Sequence, residues 1–379
     1  MLFYYSNLIQ QEVNLKMTNI SEHIDTMTLQ FRVNPCNKDI IFNDFKDGLI
    51  TGANRNWKSK LLHRPKYSKA LRFHGIQHRY YGYVDKFYYK PYPFVGGYDG
   101  YSINYCHYKY RDDYVLVTLQ HKVVEDKDDV TIVENTYNFL DSIGIDTELL
   151  ELDDKLNRID FKRDAEATNQ VEIDAFFNAI SKCRTSFYNV DKITYTTAIK
   201  YKPTESYTEI VVYDKWAEMN ARAKKHSHVD LDISNFKNVI RTELRLKNKR
   251  LNCNKTATFK MDKHLSNYFR ESVIDKCYKR YVEPIFYTEP FFRIDFALQL
   301  IETDNRLSDN QREKLSYLVS EINKRGFTEA KASYKYCDDT FEKHIKLLRK
   351  IGINPLTFDE NIDIKFVVNF TLKEMCRHQ

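Results

Sequence analysis

The sequence predicts an α+β fold in which helices flank a central, largely antiparallel sheet and a helical region follows. Two observations predict it. Segments that combine β-branched residues with polar–apolar alternation, as strands do, recur up to about residue 246, and helical periodicity separates them. From residue 24 the order is strand, strand, helix, strand, helix, hairpin, helix, strand, which suits a single sheet.

The predicted strands begin with Ile24 to Arg32. They continue with 114–120, the alternating segment 156–165, the hairpin strands 193–201 and 207–213, and 239–246. Residues 38–62 look helical or irregular. The predicted helices of this part cover 129–143, 171–184 and 214–225, because apolar residues there recur at helical spacing.

After about residue 284 strand signals become rare. Ser308-x-x-Gln311 is a capping box that opens a helix through Lys324, and Gly326 ends it. A second helix is expected from Asp339-x-x-Glu342. We therefore divide the chain into an N-terminal extension (1–23), an α+β domain (24–283) and a helical region (284–379), in which a helix-turn-helix or an ordinary helical hairpin would fit.

Composition narrows the class of protein. With 379 residues, of which 42% are hydrophobic, the chain can bury a core, and gross disorder is excluded. No apolar run reaches the roughly 18–20 residues of a membrane span. The seven cysteines are scattered without metal-ligand spacing, which favours a reducing compartment. The net charge of +6 is too small to identify a partner by itself.

Three short segments carry the most chemical information: RIDFKRD (158–164), VVYDKWAE (211–218) and RTELRLK (241–247). Each places acids in or beside a strand with basic neighbours. Asp160 and Glu243 would meet across neighbouring strands if their acidic faces coincide. Carboxylates that converge on one face form an oxygen-ligand site suited to Mg²⁺ or Mn²⁺, which would bind a phosphodiester.

The same pattern also predicts something simpler. Arg158, Asp160, Arg241, Glu243 and Arg245 would form a cross-strand ladder of salt bridges with no catalytic role. Spacing alone does not separate the ladder from the metal site.

Tyr213 ends a strand and precedes a helix, with Asp214, Lys215 and Glu218 after it. A tyrosine there could attack phosphorus and form a covalent phosphotyrosine. At a pKa near ~10 only about one phenol in a thousand is ionised at neutral pH, so a metal, Lys215 or a base would have to assist. The alternative is a tyrosine that packs at a strand end, one of 28 in the chain.

A basic, aromatic stretch between residues 60 and 93 suits a single-stranded or melted DNA surface, since cations neutralise phosphates and rings stack on bases. Its alternative is an aromatic core hairpin with a basic rim. The residues we select as DNA contacts there are Lys66, Arg72, Arg79, Tyr80 and Tyr81, and in the helical region Lys346 and Arg349.

Four motifs, IDTMTLQF, RIDFKRD, YDKWAE and RTELRLK, occur in the order and spacing found in rolling-circle replication initiators. The chain resembles the filamentous-phage gene II type of nicking enzyme and related phage and plasmid Rep proteins over most of residues 24–250. A weaker similarity in the last hundred residues ends at LRKIGINP. The resemblance implies a relaxase-like sheet in the α+β domain.

The resemblance also implies a metal-dependent endonuclease that nicks one strand at an origin, stays joined to the 5′ phosphate through tyrosine and later reseals the strand. By position, Tyr213 matches the nucleophile and Lys215 its basic neighbour, while Asp160, Glu218 and Glu243 match the acidic positions that would hold Mg²⁺ or Mn²⁺. The implied partners are single-stranded or hairpin origin DNA and a host helicase. We expect a monomer or homodimer in the cytoplasm of a bacterial host, with no membrane partner.

The resemblance leaves alternatives open. In related plasmid initiators the nucleophile follows the RTE strand, and there Tyr281 is the second choice for the nucleophile. A metal-dependent nuclease without a covalent intermediate and a DNA-binding protein without enzymatic activity are the competing functions.

Overall fold

The computed structural model describes the chain with gaps: residues 20–41, 57–63, 70–73, 76–79, 85–91, 100–107, 112–142, 145–183, 189–192, 198–202, 207–225, 233–254, 259–334 and 337–371. The chain forms two compact units. Residues 1–24 and 31–153 make up the first, and residues 25–30 and 154–379 make up the second.

The first unit holds four strands in the order β2–β5–β6–β7, each antiparallel to its neighbour. They are Trp57–His63, Asp85–Pro91, Tyr101–His107 and Tyr114–Gln120, and a separate hairpin pairs β3 (Ala70–Phe73) with β4 (Ile76–Arg79). The helices α1 (His121–Val124) and α2 (Asp129–Ser142) follow. Phe139 of α2 stacks on Tyr101 with ring centroids 4.2 Å apart, which anchors the apolar side of α2.

The second unit has the strand order β1–β8–β12–β11–β10–β9. The strands are β1 (Ile24–Val33), β8 (Leu150–Glu166), β9 (Asn189–Lys192), β10 (Ala198–Lys202), β11 (Thr208–Asp214) and β12 (Val239–Lys247), and the boundary between units runs through β1 and β8. From β8 to β9 all pairings are antiparallel. Successive side chains alternate between the two faces, so the sheet has one apolar and one charged face.

Helices of the second unit pack on the apolar face. Tyr201 of β10 donates a hydrogen bond to the carbonyl of Ile180 at the end of α3 (Gln170–Ile180), at 2.8 Å. Tyr278 donates to the carbonyl of Thr242, also at 2.8 Å. It belongs to α7 (Glu271–Tyr281), which follows α4 (Lys215–Lys225), α5 (Asn248–Cys253) and α6 (Leu265–Tyr268).

The C-terminal residues belong to the second unit and are not separate from it. They contain α8 (Glu283–Phe286), α9 (Ile294–Thr303), α10 (Asp309–Arg325), α11 (Phe327–Ala332) and α12 (Asp338–Lys350), with β13 (Phe291–Phe292) paired to β14 (Phe366–Val367). Phe176 of α3 packs edge-to-face on Phe291 and Phe370, at 5.8 and 5.3 Å. The boundary between the two compact units lies at Asp153, and the predicted division at residue 283 stays a prediction.

The α+β prediction is confirmed, with a mostly antiparallel sheet, flanking helices and C-terminal helices. The capping box at Ser308 and Gln311 forms as expected, and Gly326 takes the positive φ of 82° that ends α10. The expectation of helical or irregular structure at 38–62 is wrong from Trp57 onward, where β2 pairs with β5. The last helix begins after Cys337, so Asp339 does not cap it. No helix in the described part of the chain has the length and apolarity to span a bilayer.

The aromatic junction predicts a stability effect. Phe176 is fully buried, so Phe176→Ala should lower the free energy of unfolding by about 3–5 kcal/mol through lost contacts and a cavity. Chemical denaturation followed by circular dichroism measures it. Phe366→Ala, at a 38% exposed position, is the matched control and should cost far less. Equal losses in the two variants would contradict packing of the C-terminal region onto α3.

Candidate active site

The strand register assembles the charged face from segments that are distant in sequence. On β8 and β12 the directly opposed pairs are Asp160 with Arg245, Glu243 with Lys162 and Asp164 with Arg241. On β11, Tyr213 lies opposite Arg241. The predicted meeting of RIDFKRD, VVYDKWAE and RTELRLK on one sheet therefore takes place, with Asp160 and Glu243 as diagonal neighbours.

Arg245 is the centre of one half of this face. Its guanidinium lies 2.5 Å from Glu243, 3.6 Å from Asp160 and 3.8 Å from Glu209, measured between nitrogen and oxygen atoms. Asp160 also accepts a hydrogen bond from Nε of Arg158 at 2.8 Å. Burial raises the pKa of Asp160 to about 6, although Arg158 and Arg245 act in the opposite direction. The carboxylates of this half are thus neutralised by guanidinium groups.

Arg241 is the centre of the other half. Its side chain forms a bidentate pair with Asp164 at 2.6 Å per bond and reaches Asp25 of β1 at 3.1 Å. Burial alone would raise the pKa of Asp25 and of Asp164. Arg241, together with the positive charges of Lys162 and Lys215, outweighs burial in both cases and holds each pKa below its usual value.

Tyr213 lies beside these two halves. Its hydroxyl donates a 2.6 Å hydrogen bond to Oε1 of Glu243, and its side chain is buried. Burial, followed by the negative charge of Glu243, raises the pKa of Tyr213 well above the usual range. The phenol and one predicted acid are therefore in contact, and the free protein keeps that phenol protonated.

The predicted metal set does not come together. Glu218 accepts a 2.7 Å hydrogen bond from Lys215, one turn away on α4. Arg245 lies between Asp160 and Glu243 and contacts both of them. Among the residues described, no three His, Cys, Asp or Glu side chains are grouped so that they could hold a metal ion. Asp160, Glu218 and Glu243 therefore do not fit a three-carboxylate site for Mg²⁺ or Mn²⁺.

The second-choice nucleophile lies elsewhere. The Tyr281 hydroxyl is buried and donates to Oδ1 of Asn254 at 2.8 Å. Its helix, α7, packs on the apolar face, where the ring of Tyr278 lies 4.2 Å from the Arg163 guanidinium carbon. Tyr213, in contrast, donates a hydrogen bond directly to Glu243.

Among the predicted DNA contacts, the structure describes the side chains of Lys346 and Arg349. Lys66, Tyr80 and Tyr81 lie outside the described residues, and Arg72 and Arg79 belong to β3 and β4, whose side chains are likewise outside them. Lys346 is exposed on α12. Arg349 instead binds Glu289 at 3.1 Å and is not available to a ligand without breaking that pair.

The geometry gives little support to the predicted helix-turn-helix. In that motif the first turn of the recognition helix approaches the bases. The first turn of α12 carries Asp338 and Asp339, which would repel phosphates. The arrangement of α10, α11 and α12 fits a helical hairpin at least as well.

Two acids of the charged face, Asp25 and Glu209, lie outside the three short segments RIDFKRD, VVYDKWAE and RTELRLK. Asp25 ends up beside Arg241, and Glu209 binds Lys247 and lies near Arg245. The signal for both was available, since each acid alternates with apolar residues in a predicted strand. Their partners depend on the register between strands, which the sequence does not display.

Neither a scan of protein-family models nor a search of curated proteins returns a match to this chain.

Asp160 and Asp164, one in each half of the charged face, should contribute to the free energy of unfolding with opposite pH dependences. The folded-state pKa of Asp160, about 6, lies above its ordinary value of 3.8, so its contribution to stability is complete below pH 4 and lost as pH rises through 6. Relative to Asp160→Asn, the wild type should lose about 2 kcal/mol of unfolding free energy between pH 4 and pH 7. Denaturation at each pH measures this difference.

Asp164→Asn is the matched control. The pKa of Asp164 is lowered, so its contribution is present above pH 4 and disappears only as pH falls further. The wild-type advantage over Asp164→Asn should stay nearly constant from pH 5 to pH 7. The same downward trend in both comparisons would show that Asp160 is not in the environment described.

Proposed function

We propose that this protein is a rolling-circle DNA replication initiator that nicks an origin strand and rejoins it through a phosphotyrosine formed on Tyr213. One observation carries the proposal, the 2.6 Å hydrogen bond from the Tyr213 hydroxyl to Glu243 on a sheet face rich in arginine. The order of the four sequence motifs supports the same assignment.

The contact supplies what a phenol needs in order to attack phosphorus. Glu243 accepts the hydroxyl proton as the Tyr213 oxygen bonds to phosphorus, and the bond from phosphorus to the 3′ oxygen breaks. The 5′ phosphate then remains on tyrosine, while the 3′ oxygen leaves and takes a proton from solvent. In the reverse step that hydroxyl attacks the phosphotyrosine and releases its proton to solvent, and the tyrosine oxygen recovers its proton from Glu243.

Positive charge close to the phenol supports this chemistry. Arg241 lies opposite Tyr213 on β12, and Nζ of Lys215 is 5.6 Å from the centre of its ring. Such groups stabilise negative charge that develops on a phosphate in a site sheltered from water. The raised pKa of Tyr213 means that proton transfer must accompany the attack, since the phenolate is not present beforehand.

Metal dependence is the part of the proposal that the geometry supports least. Because Asp160, Glu218 and Glu243 do not converge, the steps above use only side chains of this chain. The experiment below therefore compares DNA cleavage in the presence of Mg²⁺, Mn²⁺ and EDTA.

A second candidate function rests on a specific observation. Asp160 and Asp164 each bind a guanidinium, as a purely structural ladder requires. Under that interpretation the protein binds DNA without cutting it. A nuclease that cleaves without a covalent intermediate would be the third possibility.

The decisive change is Tyr213→Phe, which removes the nucleophilic oxygen and little volume. Incubated with single-stranded origin DNA and Mn²⁺, Mg²⁺ or EDTA, the wild type should give a protein–DNA species that survives denaturing electrophoresis. We expect Tyr213→Phe to abolish that species, at least a 1000-fold loss in rate by analogy with removal of other nucleophiles.

Tyr281→Phe is the matched control and should keep the covalent species. Loss of the species in Tyr281→Phe but not in Tyr213→Phe would move the nucleophile to α7. Nicking without a covalent species would support the nuclease, and binding without either would support the structural ladder.

A further inference from the structure

The Arg245 half of the charged face is layered, with acids inside and cations outside. The side chains of Asp160 and Glu243 are 1% and 3% exposed, whereas those of Arg158 and Lys247 are 35% and 37% exposed. Arg245 is intermediate at 24%. Solvent at this end of the sheet therefore meets a basic rim, which we define as Arg158, Arg245 and Lys247.

The Arg241 half has the opposite order. Arg241 is 7% exposed, and its acids Asp164 and Asp25 are 17% and 25% exposed. The outward basic charge is thus a property of one end of the face and not of the whole sheet.

Two members of the basic rim oppose each other directly. Arg158 and Lys247 are partners in the β8–β12 register. Like charges directly opposite on one face destabilise a sheet, so this pairing has a cost in the free protein. Each forms its hydrogen-bonded ion pair with an acid displaced along the strands, Asp160 for Arg158 and Glu209 for Lys247. An anion bound between the two cations would relieve the repulsion.

An aromatic group lies at the same end. Tyr207 immediately precedes β11, its carbonyl accepts from the amide of Lys247 at 3.0 Å, and Nζ of Lys249 lies 4.0 Å from its ring centre. Cations around a partly exposed ring are the combination that holds single-stranded nucleic acid, in which phosphates meet the charges and a base stacks on the ring. Duplex DNA has no unstacked base to offer.

We propose that the basic rim and Tyr207 form a binding site for the phosphates and one base of single-stranded DNA. This inference rests on the proposed function and extends its site. Tyr207 and Tyr213 are six residues apart on one strand, about 20 Å, so the bound strand would run along β11 towards the nucleophile. Asp160, Glu209 and Glu243 act as positioning residues that hold the rim cations in place.

Binding is measured by fluorescence anisotropy of a labelled single-stranded oligonucleotide at several salt concentrations. All variants carry Tyr213→Phe, so that cleavage does not interfere. Removing one phosphate contact with Lys247→Gln or Arg158→Gln should reduce the slope of log affinity against log salt by about 0.7. Tyr207→Ala should weaken binding about 5-fold or more without changing the slope.

Arg306→Gln is the matched control, since Arg306 also pairs with an acid two residues away, Asp304, and lies in the C-terminal region. It should leave affinity and slope unchanged.

Thermal melts of each variant show whether it remains folded. If Arg158→Gln unfolds, Arg158→Lys, which keeps the charge, should retain the wild-type slope, and Lys247→Gln still decides the matter. Unchanged slopes in the folded rim variants, or equal losses in Arg306→Gln, would overturn the proposal.

The result is independent of the nicking assay. Rim variants that lose DNA while the wild type forms no covalent species would leave the binding site standing and remove the proposed chemistry. A covalent species formed by a protein whose rim variants bind normally would do the reverse. Duplex DNA that binds as tightly as the single strand, with no effect of Tyr207→Ala, would overturn the single-strand assignment.

Discussion

Charge compensation on a buried sheet face is the constraint on which the second unit depends. Removing a carboxylate or a guanidinium from water costs several kcal/mol per ion, and only close, well-directed partners offset that cost. β8 and β12 meet the requirement by opposing acids to bases in register, so that Asp160 faces Arg245 and Asp164 faces Arg241. Arg245 and Arg241 each contact more than one acid, so loss of either arginine would leave several carboxylates without that partner.

This constraint has consequences for chemistry as well as for stability. An arginine that contacts two or three carboxylates fixes them in position and also takes the place that a divalent cation would need. The same arrangement keeps a phenol against a carboxylate and surrounds it with positive charge. The proposed chemistry would therefore use side chains that also stabilise the fold, and the Tyr213–Glu243 hydrogen bond is the contact on which that chemistry depends.

The opposite face of the sheet is apolar and packs against helices. There the even-numbered residues of β12, such as Leu244 and Leu246, are buried, and the helices α3 and α7 cover the sheet with the C-terminal segment packed behind them. The apolar face is covered by helices, whereas Arg158, Arg245 and Lys247 on the charged face are partly exposed. The C-terminal region is part of the same apolar core, because Phe291 and Phe370 pack on Phe176 of α3.

The sequence by itself determined strands such as β1, β7 and β12, helices such as α2 and α3, and the capping box of α10, because alternation, helical spacing and capping residues are local signals of local structure. It did not reveal β2, which pairs with β5. It also placed acids and bases on shared strand faces, since side chains in a strand alternate with a period of two. Pairing between strands was decided only by the tertiary structure. A shift of one residue in register would have moved every charge to the other face. That Asp160 lies opposite Arg245 and that Asp25 joins Arg241 depend on contacts between residues far apart in the chain, and no local signal encodes such contacts.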